Sequence, residues 1–148
     1  ANDIPLVSVS SLEILANSSN FNGIIIPTID ARRDEVYSSV FFQSNMIRKE
    51  KPEIIKSESF GEHLKNNNII IVGNGQFKCE KIIKKNKKIF FDKNIINPSS
   101  KYMPKLSYRK FINNEFEDLA YFEPRYLKEF KTNLWLSVYR SNRINFFW

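Results

Sequence analysis

Residues 24–42, IIIPTIDARRDEVYSSVFF, decide the fold. An apolar run rich in β-branched residues meets a short charged turn, and beyond it Val36, Val40 and Phe42 alternate with Glu35, Ser39 and Phe41. That pattern predicts a β-hairpin. Its first strand is apolar on both faces, as a sheet-interior strand is, whereas Ser38 and Ser39 give the second strand polar relief. Pro27 cannot donate to a ladder, so the first strand is expected to have an open side or a bulge there. In the turn, Asp30 to Tyr37, two arginine forks stand side by side between carboxylates. Such a loop suits a phosphate or a partner's carboxylate. The plainer reading has Asp30 accepting hydrogen bonds from the turn backbone, with Arg32 and Arg33 pairing locally with Asp34 and Glu35.

Working outward, Ser10-Ser11-Leu12-Glu13 has the spacing of a capping box, and Leu12, Leu15 and Ala16 follow it at helical spacing until Asn17-Ser18-Ser19-Asn20 ends the helix. Downstream of the hairpin, Met46 to Lys56 is polar and interrupted by Pro52, which suits a third strand at a sheet edge. Ser59 to Leu64 reads as a short helix starting at serine, and Ile69 to Val72 as a buried parallel strand. That strand enters Gly73-Asn74-Gly75 and a helix from Phe77 to Lys84. The layout resembles a phosphate-binding turn, but the third glycine of a dinucleotide fingerprint and the lysine-serine pair of a P-loop are missing, so a tight strand-to-helix turn is favoured. Ile89 to Phe91 makes a further strand, and Met103, Leu106 and Phe111 describe one face of a helix ending near Asn114, with Pro104 in its first turn. The element order is βββαβαβα, that of a ribonuclease-H-like α/β unit.

The 148 residues fit one domain with a real core, and 42% hydrophobic with 26% charged residues is ordinary for a globular chain. No apolar run approaches the roughly 20 residues of a membrane helix, and the first residues lack a signal-peptide layout, so a cytoplasmic protein with no membrane contact is expected. A single cysteine, Cys79, excludes an internal disulfide, and a single histidine, His63, excludes sites needing two imidazoles. The net charge of +7 is compatible with a nucleic-acid partner, but the basic residues lie in KKNKK near residue 85 and in the tail, not in one stripe with interleaved aromatics. General over-use of lysine, asparagine and isoleucine points to genome bias.

The string IDARRDEVY, with PLVSVSSLEILA upstream and DLAYFEPRYLKEF downstream, resembles the TsaB (older name YeaZ) family, accessory proteins of tRNA threonylcarbamoyladenosine synthesis. The resemblance runs from about Ile4 to Phe130, in the family's order, and YFEPRYLKEF and SSKYMPKLSYRKF are most similar to Bacteroidetes members. It implies a lobe of the actin/Hsp70-like ATPase superfamily, whose core is the same βββαβαβα unit. The family's Asp-Thr-Ser strand and Gly-Pro-Gly-Ser-Phe-Thr-Gly segment are absent, so a C-terminal lobe alone is expected. Residues 1–20 would be a lead-in and capped helix handed over from a missing N-terminal lobe, residues 21–130 the ribonuclease-H-like lobe, and residues 131–148 an aromatic tail of unknown role. That tail carries Trp135, Tyr139, Phe146, Phe147 and Trp148. Tyr121, Phe122 and Tyr126 are expected to pack across the lobe while Arg125 and Lys128 stay wet.

No catalytic constellation is complete. A ribonuclease-H-like nuclease needs convergent carboxylates, and although Asp30 and Glu62 are available, Ile69 to Val72 offers none. His63 has no motif-borne nucleophile beside it, and Cys79 reads as a buried small hydrophobe. No catalytic residue, metal or cofactor is therefore expected. The resemblance implies a non-catalytic subunit supporting a TsaD-like subunit, which transfers the threonylcarbamoyl group to adenosine 37 of ANN-decoding tRNAs, with a TsaE-like ATPase joining the pair. A homodimer is compatible with it, and any tRNA contact would be indirect. In the family the partner contact is made largely by the N-terminal lobe. Here Asp30, Arg32, Arg33, Glu35 and Tyr37 are the candidates for an inter-lobe or partner contact, as the densest charged motif at a strand end. The alternative is a basic ribonuclease-H-like module that binds RNA through Lys84, Lys85, Lys87 and Lys88, outside that pathway.

Overall fold

Three consecutive isoleucines, Ile24 to Ile26, cannot face water on either side of a strand without losing about 2 kcal/mol each, so the sheet that holds them must be covered on both faces. The computed structural model, which describes residues 4–128, shows how this is met. Strand β1 (Ile24–Asp30) is central in a five-stranded sheet of order β3-β2-β1-β4-β5. It pairs antiparallel with β2 (Glu35–Phe42) and parallel with β4 (Ile69–Val72). β3 (Asn45–Ile54) lies antiparallel on the outer side of β2, and β5 (Ile89–Phe91) parallel beside β4. On one face, Leu12, Leu15 and Ala16 of α1 (Ser11–Asn17) cover Ile25, Phe41, Ile70 and Val72. On the other, Cys79 of α2 (Gln76–Ile82) and Ile83 cover Ile24, Ile26, Val40 and Ile71. The order and directions of the strands are those of a ribonuclease-H-like unit, as the sequence pattern predicts.

Several local expectations are corrected. Pro27 is not at a sheet edge: it pairs with Val72 of β4, and its open side is a gap in the β1–β2 pairing, which skips Ile26 and Pro27 and resumes in the same register. The Thr28 hydroxyl donates to the Val72 carbonyl at 2.8 Å, tying the two strands together beside the proline. The bulge lies one strand further out, in the β2–β3 pairing between Ser38 and Phe41. Ser38 and Ser39 are both buried and give no relief to solvent. Ser38 Oγ instead accepts from Arg48 at 2.7 Å and donates to Glu53, whose carboxylate also receives Arg48 at 2.7 Å. The capping box is half formed, since Ser10 Oγ accepts from the Leu12 amide at 3.2 Å while Glu13 pairs with Arg109 at 2.6 Å. The helix expected from Ser59 is a 3-10 turn over Gly61–Leu64, entered through Phe60 at a left-handed φ of 65°.

The C-terminal part is more open than the pattern implies. α3 (Met103–Ile112) begins after a 3-10 turn at Ser100–Tyr102, and Pro104 occupies its first turn as expected. Of its supposed buried face only Leu106 is enclosed, at 1% exposure, whereas Phe111 is 50% exposed. The helix is moored beside α1 largely by polar ties, Arg109 to Glu13 and Lys110 Nζ to the Ser8 carbonyl at 2.9 Å. Tyr121, Phe122 and Tyr126 are 83%, 44% and 85% exposed and do not pack across the lobe. After the turn that closes on the Asp118 carbonyl, Glu123-Pro124 continues outside any helix or strand, so no ladder lays these rings onto the sheet. The aromatic tail, residues 131–148, lies outside the described residues.

The turn after β4 shows how tightly the layers meet. Gly73 has φ +90°, and a Cβ there would collide with the Thr28 carbonyl oxygen. At Gly61 an added Cβ would meet nothing within 4 Å. Gly73→Ala is therefore expected to lower unfolding free energy by about 2–4 kcal/mol, against less than about 0.5 kcal/mol for Gly61→Ala. Urea denaturation of the two variants measures the difference.

Candidate functional site

Parallel pairing of β1 with β4 brings their carboxyl ends together, the edge at which open α/β sheets present ligand-binding groups. At this edge stands the β1–β2 turn. Its backbone is anchored from several sides: the Asp30 amide donates to Asn74 Oδ1 at 2.8 Å, the Arg32 amide to Asp30 Oδ1 at 2.7 Å, and the Ile55 amide to the Asp34 carbonyl at 2.8 Å. Lys78 of α2 reaches Asp30 Oδ1 at 2.8 Å and the Glu35 carbonyl at 2.8 Å. Lys128 pairs with the Glu35 carboxylate. Asp30 thus accepts from the turn backbone as expected, but Arg32 and Arg33 do not pair with Asp34 or Glu35. Lysines from elsewhere in the fold take the carboxylates of Asp30 and Glu35, and among the described residues neither arginine forms an ion pair. Both are exposed, on consecutive left-handed backbone positions with φ 66° and 47°.

The five candidate residues are not all brought together. Asp30, Arg32, Arg33 and Glu35 share the turn, whereas Tyr37 packs against the core cluster on the α1 side of the sheet and pairs with Ile29 and Pro52. Asn74, Lys78 and Lys128 escape the sequence reading. Asn74 and Lys78 were within reach of it, because four residues is one helical turn and a parallel β1–β4 pair sets the Gly-Asn-Gly turn beside Asp30. Lys128 carries no such signal.

The Gly-Asn-Gly turn is a packing device. The Gly75 amide donates to the Thr28 carbonyl at 3.3 Å and the Gly73 amide to the Ile95 carbonyl at 2.8 Å, so neither is available to a phosphate. The side-chain Nε2 of Gln76 donates to the Asp92 and Ile95 carbonyls, closing the same corner. Residues proposed for other chemistry are dispersed. The Ile69 amide bonds the Lys88 carbonyl, and Lys88 Nζ bonds the Leu64 carbonyl, which sets the lysine run and Glu62 near the amino end of β4, away from Asp30. Cys79 is wholly buried, and burial pushes its thiol up to about 12. His63 Nε2 lies 3.4 Å from Glu62, on the 3-10 turn.

Three carboxyls near this scaffold sit below their usual range. The hydrogen bond from Lys78, then the Arg32 amide, holds Asp30 down, and Lys128 does the same for Glu35. Burial raises Glu53, but the bonds from Arg48 and Ser38 outweigh it and leave that carboxyl low as well.

The sheet order, strand directions and two helical layers define a ribonuclease-H-like α/β lobe. Among solved structures the chain is similar to a Pseudomonas aeruginosa protein described as uncharacterized, with similarity to peptidase YEAZ. The TM-score is 0.68 at 21% identity, over 84% of this chain and 59% of that one. YeaZ from Pseudomonas aeruginosa aligns with TM-score 0.62 at 21% identity, over 83% of this chain and 59% of that one. At these identities the likeness speaks for the fold. In sequence, 44 residues are 50% identical to the tRNA threonylcarbamoyladenosine biosynthesis protein TsaB of Bacillus subtilis (strain 168), covering 29% of this chain and 19% of that protein. No protein-family model matches. The similarity to TsaB and YeaZ thus reaches only part of the length of these relatives. Among the described residues, no helix is long and apolar enough to cross a membrane.

Two outcomes test the site's physics. A carboxyl with a lowered folded pKa binds fewer protons folded than unfolded, so its stabilisation is present above the ordinary 3.8 of Asp30 and 4.5 of Glu35 and Glu53, and is lost as pH falls through the folded values. Glu53→Gln is expected to be about 1–2 kcal/mol less stable at neutral pH and to converge with the wild type as pH falls through the lowered folded value, by denaturant titration across pH. Arg32→Asn/Arg33→Gly, which suits left-handed backbone better, is expected to raise stability by about 1 kcal/mol, read as a higher melting temperature.

Proposed function

We propose that this chain serves as an accessory, non-catalytic part of the machinery that forms threonylcarbamoyladenosine at position 37 of ANN-decoding tRNAs, supporting a TsaD-like catalytic subunit joined by a TsaE-like ATPase. The observation that carries the reading is the 50% identity over 44 residues to the Bacillus subtilis TsaB protein, on a chain whose lobe has the fold of YeaZ. The non-catalytic part is supported by the dispersal of reactive groups, with the Cys79 thiol buried and His63 at the far end of β4 from the turn. The turn carrying Asp30, Arg32, Arg33 and Glu35 is the proposed inter-lobe or partner contact, because it is anchored and exposed at the carboxyl edge of the sheet.

Depleting the gene product in its own host and measuring nucleosides of bulk tRNA by mass spectrometry tests this. Threonylcarbamoyladenosine is expected to fall several-fold and to return on complementation. An unchanged level of the modified nucleoside overturns the reading.

A further inference from the structure

We propose that the outer edge of β5, with the lysine-rimmed cleft beside it, takes up an extended acidic stretch of another polypeptide as a sixth strand of the sheet. This surface stands independently of the accessory reading. The two edges of the sheet are treated differently. β5 is the last strand and pairs only with β4. The Ile69 amide bonds the Lys88 carbonyl at 2.8 Å and the Asp92 amide bonds the Ile71 carbonyl at 3.2 Å, so residues 88, 90 and 92 turn their backbone groups to β4. Ile89 and Phe91 therefore turn theirs outward. The Ile89 amide closes on the Asn86 carbonyl at 3.1 Å, whereas the Phe91 amide and the carbonyls of Ile89 and Phe91 have no partner among the described residues. The opposite edge is blunted, because β3 carries exposed Lys49 and Lys51, Pro52 and the bulge in its pairing with β2. β5 is Ile-Phe-Phe and has none of these devices within it.

Beside this edge lies a cleft of about 380 Å³ whose lining includes the apolar Ile83, Ile89 and Phe91 and the cations Lys84, Lys85 and Lys87. Residues 80–93 hold six lysines and two acids, a net +4 of the chain's +7. Among the described residues Lys84, Lys85 and Lys87 form no ion pair. Each nearby acid is engaged: Glu80 by Lys93 at 3.1 Å, Asp92 by the Asn94 amide at 3.0 Å, and Glu58, which lies in the field of Lys84, by the Ser57 hydroxyl. Charge here calls for acidic groups, and the unused backbone groups call for a polypeptide. An added strand lays alternate side chains on one face, about 7 Å apart, so an apolar residue seated over Ile83, Ile89 and Phe91 sets acids two positions to either side near the lysines. An RNA backbone is the poorer fit, since it has no N–H donors for the Ile89 and Phe91 carbonyls, and the Phe91 ring packs against the core instead of offering a free face to a base. A second copy pairing β5 to β5 is disfavoured, because it would bring two lysine runs together.

The test is fluorescence anisotropy of a labelled peptide, acetyl-Glu-Thr-Val-Thr-Glu-Thr-Val-Thr-Glu-amide, titrated with the wild-type chain, together with hydrogen exchange of the Phe91 amide. Binding is expected to saturate, and the Phe91 amide to exchange about ten-fold or more slowly in the complex, because it gains a carbonyl partner. Lys84→Gln/Lys87→Gln is expected to bind the peptide about five-fold or more weakly, and the charge-matched Lys49→Gln/Lys51→Gln to bind it as the wild type does. All four lysines are exposed, so both variants keep the fold. Absence of peptide binding leaves the lysines as a solvated guard of the edge and overturns the inference. Binding without slower exchange at Phe91 reduces the contact to charge and overturns it as well. Preference of the same lysines for a uridine oligonucleotide over the peptide assigns the cleft to phosphate, and protection of Phe91 that grows with chain concentration in the absence of peptide assigns the edge to a second copy; either result overturns the acidic strand. None of these outcomes moves the accessory reading, which the nucleoside measurement tests separately.

Discussion

The parallel pairing of β1 with β4 is the constraint on which the rest of this structure depends. β1 is buried on both faces and has a neighbouring strand on both edges, and with a proline in the middle it cannot complete both ladders unaided. The Thr28 hydroxyl bonds to Val72 across the parallel seam, and Gly73 and Gly75 allow the following turn to close against the Thr28 backbone. Once that seam is closed, α2 has one position on the sheet, and Lys78 reaches the end of β1 as a consequence. The charged turn is therefore a product of core packing several residues away.

Electrostatics then separates what sequence proximity suggests should be joined. Arg32, Arg33, Asp34 and Glu35 are contiguous, and alternating charges in a turn are ordinarily expected to pair locally. Among the described residues the two arginines form no ion pair with these acids, and lysines from α2 and from residue 128 serve the carboxylates of Asp30 and Glu35. Likewise, the net charge of +7 is not one surface property. Some of the basic residues are matched by acids in ion pairs, others belong to the lysine run beside the amino end of β4, and Arg32 and Arg33 stand at the turn tip.

The expectations that failed share a cause. Ser38 and Ser39 look like solvent-facing relief, yet both are buried, Ser38 beneath the Arg48–Glu53 pair of β3. Tyr121 and Tyr126 look like core residues and are not, because no strand or helix carries them to the sheet. In each instance residue type was read correctly, and burial depended on whether a distant element arrived to cover the position. Hydrophobicity states a preference for cover without supplying it.

The α/β class, the hairpin, the central strand and the tight turn after β4 were determined by the sequence itself, because period-two apolar patterning and glycine–proline punctuation act over a few residues. The exposure of the turn at a strand end was legible for the same reason. Only the tertiary structure decided that Lys78 and Lys128, and not the adjacent arginines, hold Asp30 and Glu35, and that Tyr37 turns to the α1 side. Those outcomes depend on contacts 48 and 93 residues apart in the chain. Local periodicity carries no information about which side chains such long loops will bring together; strand order and the packing of helices over the sheet do.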